Sequence, residues 1–234
     1  MPRQPRFVIV GHPQHVIIRG NNPDIIFNHP NDYLFFLAKL GEAIEKYQCQ
    51  LHAYVLMTNH VHLLIPPETE CAISKVIQAV GRSYVQYFNK KYHRTGTLWE
   101  GRYKASLIDS ETYALICYRY IELNPVRANM VMSPEDYRWS SYGFNAQGMN
   151  NNLITPHDLY CRLGTTKSER AEAYRSLFNG YFPEKQANQI RNAANKCWAI
   201  GSAEFLKNLS NTSVRPLTPS KRGGNRRSKS FNRV

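Results

Sequence analysis

The chain predicts an α+β fold of ferredoxin-like β-α-β-β-α-β order, with a third helix on the open face of the sheet and a small helical extension behind it. Three observations lead there. Short β-branched or aliphatic runs lie at 16–18, 51–57 and 60–65, and two long stretches of helical periodicity alternate with them. The stretch His60-Val61-His62-Leu63-Leu64-Ile65 also alternates, so Val61, Leu63 and Ile65 share one face of a strand and both histidines share the other.

Taken in order, Val16-Ile17-Ile18 reads as a strand, and Gly20-Asn21-Asn22-Pro23 ends it in a loop. Pro30 suits a first helical turn, and Tyr33, Phe36, Leu37, Leu40, Ile44 and Tyr47 follow at helical spacing. The runs 51–57 and 60–65 form an antiparallel hairpin about the tight turn Thr58-Asn59. A second helix over 72–90 carries Ile73, Ile77, Val80, Tyr84 and Phe88 as its apolar stripe. A strand is expected over 103–108. In this topology the two helices cover one face, so a third helix over 111–123 falls on the other. Pro125 should end it, because the residue before proline is pushed out of the helical region, leaving Asn124 near its C-terminus.

Beyond residue 150 the composition turns polar. Helices are expected over 168–179, opened by the capping pattern Thr166-x-x-Glu169, then over 184–194 and 202–209. From 211 onward apolar content is low, and Lys221, Arg222, Arg226, Arg227, Lys229 and Arg233 stand without an acid among them, which reads as a disordered basic tail. The expected organisation is a main domain over 1–150, a helical extension over 151–210 and a tail over 211–234.

With 234 residues and 42% hydrophobic content, the chain can bury a sizeable core. Its formal charge of +13 favours a polyanionic partner, since binding phosphates releases condensed counterions. A membrane surface is the rival, but no amphipathic basic helix with a broad apolar face stands out. No signal peptide or membrane span fits the opening residues. The five cysteines are scattered without a C-x-x-C pair, which suits reduced thiols in a cytoplasmic protein and excludes a zinc ribbon.

Two histidines at i, i+2 on a strand can share one metal ion, and Tyr120 and Asn124 at i, i+4 share a helix face. Alone, a strand His-x-His is more often incidental, and a helical tyrosine is usually core. Together in a basic chain, they point to metal-assisted attack on a nucleic-acid phosphodiester. Arg19, Asn21 and Asn22 after the first strand, and Arg102 and Lys104 beside the fourth, suit DNA contact and equally suit solvated edge charges. Trp99 fits base stacking or core burial, and Arg127 fits a helix C-cap or a phosphate.

Three segments in order, Met57-Thr-Asn-His-Val-His-Leu-Leu-Ile65, Leu98-Trp-Glu-Gly-Arg-Tyr-Lys104 and Tyr120-Ile-Glu-Leu-Asn-Pro-Val-Arg-Ala128, resemble the single-tyrosine HUH transposases. Within them the chain looks like the REP-associated tyrosine transposases, which His15-Val-Ile-Ile-Arg-Gly-Asn-Asn22 also fits. The resemblance covers about 7–142, and more loosely 154–209. It departs at Thr58, where proline is common, and at Asn129, where glycine is usual.

The resemblance implies that His60 and His62 bind the metal, that Asn124 completes the site, and that Tyr120 is the nucleophile. It implies Mg²⁺ or Mn²⁺ as cofactor, although histidine ligands suit Zn²⁺ as well. The implied substrate is single-stranded DNA carrying a hairpin from a palindromic repeat, nicked and rejoined through a 5′-phosphotyrosine. A monomer acting in cis is favoured over a dimer. The alternatives are a non-catalytic hairpin-DNA-binding protein and a metal hydrolase that activates water.

Overall fold

The computed structural model describes residues 7–213 and 216–218. The order is β1 (Gln14–Arg19), α1 (Pro30–Lys46), β2 (Ala53–Met57), β3 (His60–Ile65), α2 (Ala72–Lys91), β4 (Lys104–Leu107), then α3 (Ser110–Glu122). The four strands form an antiparallel sheet in the order β2-β3-β1-β4, the expected split β-α-β arrangement. Thr58 and Asn59 make the two-residue turn, with Met57 opposite His60.

Strand alternation divides the molecule. Val16, Ile18, Tyr54, Leu56, Val61, Leu63 and Ile65 pack with Phe36 and Leu40 of α1 and Ile73, Val76 and Val80 of α2. Ala53, Val55, Met57 and Leu64 face the other way, against Cys117, Tyr118, Tyr120 and Ile121 of α3. A one-residue slip of β3 would exchange the two faces and put both histidines into the helical core.

The helices are well specified locally. His29 caps α1 and Pro30 opens it, while the Asp32 carboxylate accepts from the backbone N–H groups of Asn28 and His29. The same carboxylate takes Lys91, Tyr87 and Tyr92 from the far end of α2, locking the two helices together. The exposed edge of β2 is covered by the segment around Ser140, through Leu56 N–H to Trp139 O and Ser141 N–H to Tyr54 O.

Boundaries shift modestly from those expected. Strand β2 begins at Ala53, and β4 spans only Lys104–Leu107. Helix α3 closes at Glu122, and a separate turn, α4 (Asn124–Arg127), carries Pro125 inside it rather than ending at it. Short elements unmarked by strong periodicity follow: a 3-10 turn at Pro134–Asp136, α5 (Tyr142–Gln147) and α6 (Asp158–Cys161). The extension then supplies α7 (Lys167–Ser176), α8 (Glu184–Lys196) and α9 (Ala203–Thr212), close to the expected helices.

Tyr174, Phe182, Ala187 and Ile190 of the extension pack into the same cluster as α3 and the open sheet face. Asn211 and Thr212 complete α9, and Leu217 is buried against Leu107, Ala199 and Leu209. The rest of the expected tail, from 219 onward, lies outside the described residues, as do 214 and 215.

Candidate active-site cleft

The open face of the sheet carries a cleft of about 350 Å³ lined by Ile17, Arg19, Met57, His60, His62, Tyr120, Asn124, Arg127, Ala128, Arg191 and Asn195. Strand β3 delivers the histidines. Their ring centroids lie 5.0 Å apart, and the Tyr120 ring of the same chain lies 6.1 Å from His62. His62 and Tyr120 are nearly enclosed, at 4% and 3% exposed.

Each histidine has one nitrogen fixed by a neighbour. His60 Nδ1–H donates to Asn59 Oδ1 at 2.6 Å, leaving Nε2 with its lone pair. His62 Nδ1 shares a 2.7 Å hydrogen bond with Nε2 of His15, the next residue but one along β1 on that face. Burial, with a further push from Arg19, lowers the His60 pKa to about 4. Burial also takes His62 well below its ordinary value, reinforced by His15, His60, Arg19 and Arg127. Both rings are therefore neutral near pH 7, the form that can ligate a cation.

Asn124 is oriented by the proline beside it. Pro125 has no N–H to donate to Ile121 O, so the turn lacks one helical bond. The Asn124 side-chain Nδ2 takes its place, donating to Ile121 O at 3.2 Å and Tyr120 O at 2.9 Å. Its Oδ1 is then turned away from the helix carbonyls. Two imidazole Nε2 atoms and one amide oxygen suit a divalent cation and leave positions open for phosphate and water. Among the described residues no group of three His, Cys, Asp or Glu side chains converges, so any such site depends on the amide.

Arg127 stacks over the Tyr120 ring, its guanidinium carbon 4.7 Å from the centroid. Its Nη1 is buried and has no partner among the described residues. An unpaired cationic donor in a cleft is a receptor for an anion.

The remaining expected contacts divide. Arg19 lines the cleft, while Arg102 and Lys104 border an adjoining depression with Arg19, Glu100 and Asn195. Lys104 Nζ donates to Asn195 Oδ1 at 3.1 Å, clasping α8 to β4. Asn21 and Asn22 stay in the loop after β1 and line neither space. Trp99 is on the opposite, helix-covered side, half-buried with its indole N–H towards Gly81 O of α2. Gly81 leaves room for it: a Cβ there would lie 3.3 Å from Trp99 Nε1.

Sequence reasoning did not single out Arg191, Asn195 or the role of His15. The first two are brought by a helix about seventy residues beyond Tyr120, and nothing local marks them. His15 left a faint sign, a histidine in an otherwise aliphatic strand. Glu122 was also missed. It is fully buried at the end of α3, between Tyr120 and Asn124 in the chain, and Ser141, Asn145 (2.8 Å) and Tyr174 (2.7 Å) donate to it.

Comparison with known proteins supports a transposase-type domain, a DNA-processing enzyme. The family model described as "Transposase IS200 like" matches residues 10–124, just under half of the chain. A search of curated proteins finds no relative. Among solved structures, the REP-associated tyrosine transposase bound to a REP hairpin superposes with a TM-score of 0.52 at 17% identity, covering 66% of this chain and 92% of that one; the two share a fold. A transposase structure from Deinococcus radiodurans R1 matches at TM-score 0.35 and 16% identity, over 57% and 96% of the respective chains, and adds nothing to the fold assignment. Among the described residues no helix is long and apolar enough to cross a membrane.

Proposed function

We propose that the chain is a metal-dependent single-stranded DNA endonuclease and strand transferase that acts on hairpin-forming palindromic repeats through a 5′-phosphotyrosine. The observation that carries this reading is the meeting of His60, His62, Asn124, Tyr120 and the unpaired Arg127 in one cleft. The solved REP-associated relative, captured with a REP hairpin, supports the choice of substrate. Tyr120 sits beside the histidines of its own chain, which favours a monomer working in cis.

A phenol is a weak nucleophile at neutral pH, so the residues around Tyr120 must lower the barrier. A divalent cation, Mg²⁺ or Mn²⁺, held by His60, His62 and Asn124 would polarise a non-bridging phosphate oxygen. Arg127 binds a second phosphate oxygen and offsets charge that builds as the phosphorus becomes five-coordinate. Tyr120 Oη attacks phosphorus and the bond to the 3′ oxygen breaks. The phenol gives up one proton and the departing 3′ oxygen gains one. The DNA 5′-phosphate stays on tyrosine, and a 3′-hydroxyl from another strand reverses the step without ATP. Arg19, Arg102 and Lys104 hold the flanking strand by its phosphates, joined by Asn21 and Asn22 where the strand leaves the cleft.

The test is a labelled hairpin oligonucleotide from palindromic repeats, mixed with the full chain and Mg²⁺ or Mn²⁺ and run on a denaturing protein gel. Label should migrate with the protein, and vanish with EDTA or in Tyr120→Phe, while Tyr120→Phe still shifts the hairpin on a native gel. Binding without any adduct would instead establish a hairpin-binding protein, and cleavage by Tyr120→Phe would show that water is the nucleophile.

A further inference from the structure

We propose that His15 is the positioning residue for His62: its Nε2 engages His62 Nδ1, turns His62 Nε2 to the cleft, and accepts the Nδ1 proton when a cation binds there. The proposal rests on the reading of His62 as a metal ligand and extends it to a residue outside the cleft lining.

His15 and His62 are diagonal neighbours on one face of the β1–β3 ladder, His15 opposite Leu64 and His62 opposite Ile17. Their rings stack at 16° with centroids 5.0 Å apart, and the nitrogens meet at 2.7 Å. His15 has no exposed surface, and a charged ring there would be stripped of water without a counter-charge, so it is neutral. Two neutral imidazoles share this contact through one proton, which can sit on either side.

If His62 Nδ1–H donates, His62 Nε2 presents a lone pair to the cleft. The proton of His15 must then be on Nδ1, which is buried without a partner among the described residues. If His15 Nε2–H donates instead, only an unpaired acceptor is left at His15 Nδ1, and proteins leave buried acceptors unsatisfied more readily than buried N–H donors. His62 Nε2 then carries hydrogen and cannot take a cation. Without a cation the second tautomer is therefore favoured, and a cation at Nε2 selects the first. Metal-bound histidines usually donate their other N–H to a carboxylate or carbonyl. A neutral imidazole in that place adds no negative charge, so the cation keeps its full pull on phosphate.

The experiment uses the full chain carrying Tyr120→Phe, so that metal binding is read without cleavage. Mn²⁺ affinity is titrated by electron paramagnetic resonance, and hairpin affinity is measured in EDTA. His15→Phe keeps a ring of similar size but offers no acceptor. It should weaken Mn²⁺ binding about 10–100-fold and leave hairpin affinity in EDTA unchanged. His15→Gln, whose amide oxygen can accept, should recover most of the loss. Imidazole ¹⁵N spectra of the parent with Mg²⁺ should show His62 protonated at Nδ1, and at Nε2 without it.

Parental Mn²⁺ affinity in His15→Phe, alongside a loss in His62→Ala, would overturn the role of His15 alone. Equal losses in the Phe and Gln variants, or a His62 tautomer indifferent to Mg²⁺, would also overturn it. Failure of the parent to bind Mn²⁺, or of His62→Ala to lower its affinity, would bring down the metal reading first and this proposal with it.

Discussion

Arg127 answers most directly to the chemistry of Tyr120. Its guanidinium lies over the phenol ring and keeps a buried donor unpaired, a cost that a phosphate oxygen would remove. Arg127→Ala should therefore slow adduct formation at saturating DNA by about 10²–10³-fold, or ~3–4 kcal/mol, the usual loss of one transition-state donor. Arg127→Lys keeps the charge but not the planar fork or the ring stack, so it should recover only part. Single-turnover adduct kinetics check this, and a raised KM with unchanged rate at saturation would make Arg127 a ground-state contact. At this scale the sequence was informative wherever a rule is local. Strand alternation put His60 and His62 together, and helical spacing put Asn124 near Tyr120. Arg127 stayed ambiguous because a C-terminal arginine suits a helix end equally well. His15 was given no role of its own because its partner is 47 positions away.

Between elements, the titratable group with the clearest structural duty is Asp32, which joins the start of α1 to the end of α2. Burial by itself would raise its pKa. The hydrogen bonds from Lys91, Tyr92, the His29 backbone and Tyr87 outweigh burial and bring it down to about 2. An acid whose pKa is lowered on folding stabilises the folded state fully above its unfolded value, near 4, and ceases to do so as pH falls through 2. Asp32→Asn should thus destabilise the chain by about 1–3 kcal/mol at pH 7, with the gap to the parent closing below pH 4. Urea unfolding across pH 2–7 measures it; a gap that persists at pH 2 would assign the loss to packing. The helices involved were legible from their apolar stripes, since Phe36, Leu40, Val80 and Tyr84 are all buried as their spacing demands. The Asp32 cluster was not, because four of its members are aligned only by the packing of one helix on another. Pro125 was misread for a related reason. The Asn124 side chain supplies the bond that proline removes, so the chain stays helical past it.

Across the whole molecule, the question is whether the segment beyond residue 150 is an appendage or part of the unit that builds the cleft. Composition suggested an appendage, because α7 and α8 are mostly polar. Their few apolar residues nevertheless land where they matter: Tyr174 and Ile190 have no exposed surface, Phe182 packs at 6.2 Å from the Tyr120 ring, and Tyr174 donates to the buried Glu122. Sequence period cannot show this, since a short apolar patch reads the same on a free helix as on a docked one. Burial of a large side chain contributes roughly 1.5–3 kcal/mol. Tyr174, Phe182 and Ile190 together then supply on the order of 5–9 kcal/mol, comparable with the roughly 5–15 kcal/mol of a whole domain. Removal would also bare Tyr118 and Ile121 and take one donor from Glu122. The full chain should therefore melt in one calorimetric transition whose measured enthalpy matches the van't Hoff value, and a chain ending at residue 150 should not fold. Two separate transitions, or a truncated chain that melts cooperatively and still binds hairpin DNA, would make the extension an independent module and leave the cleft to the first 150 residues alone.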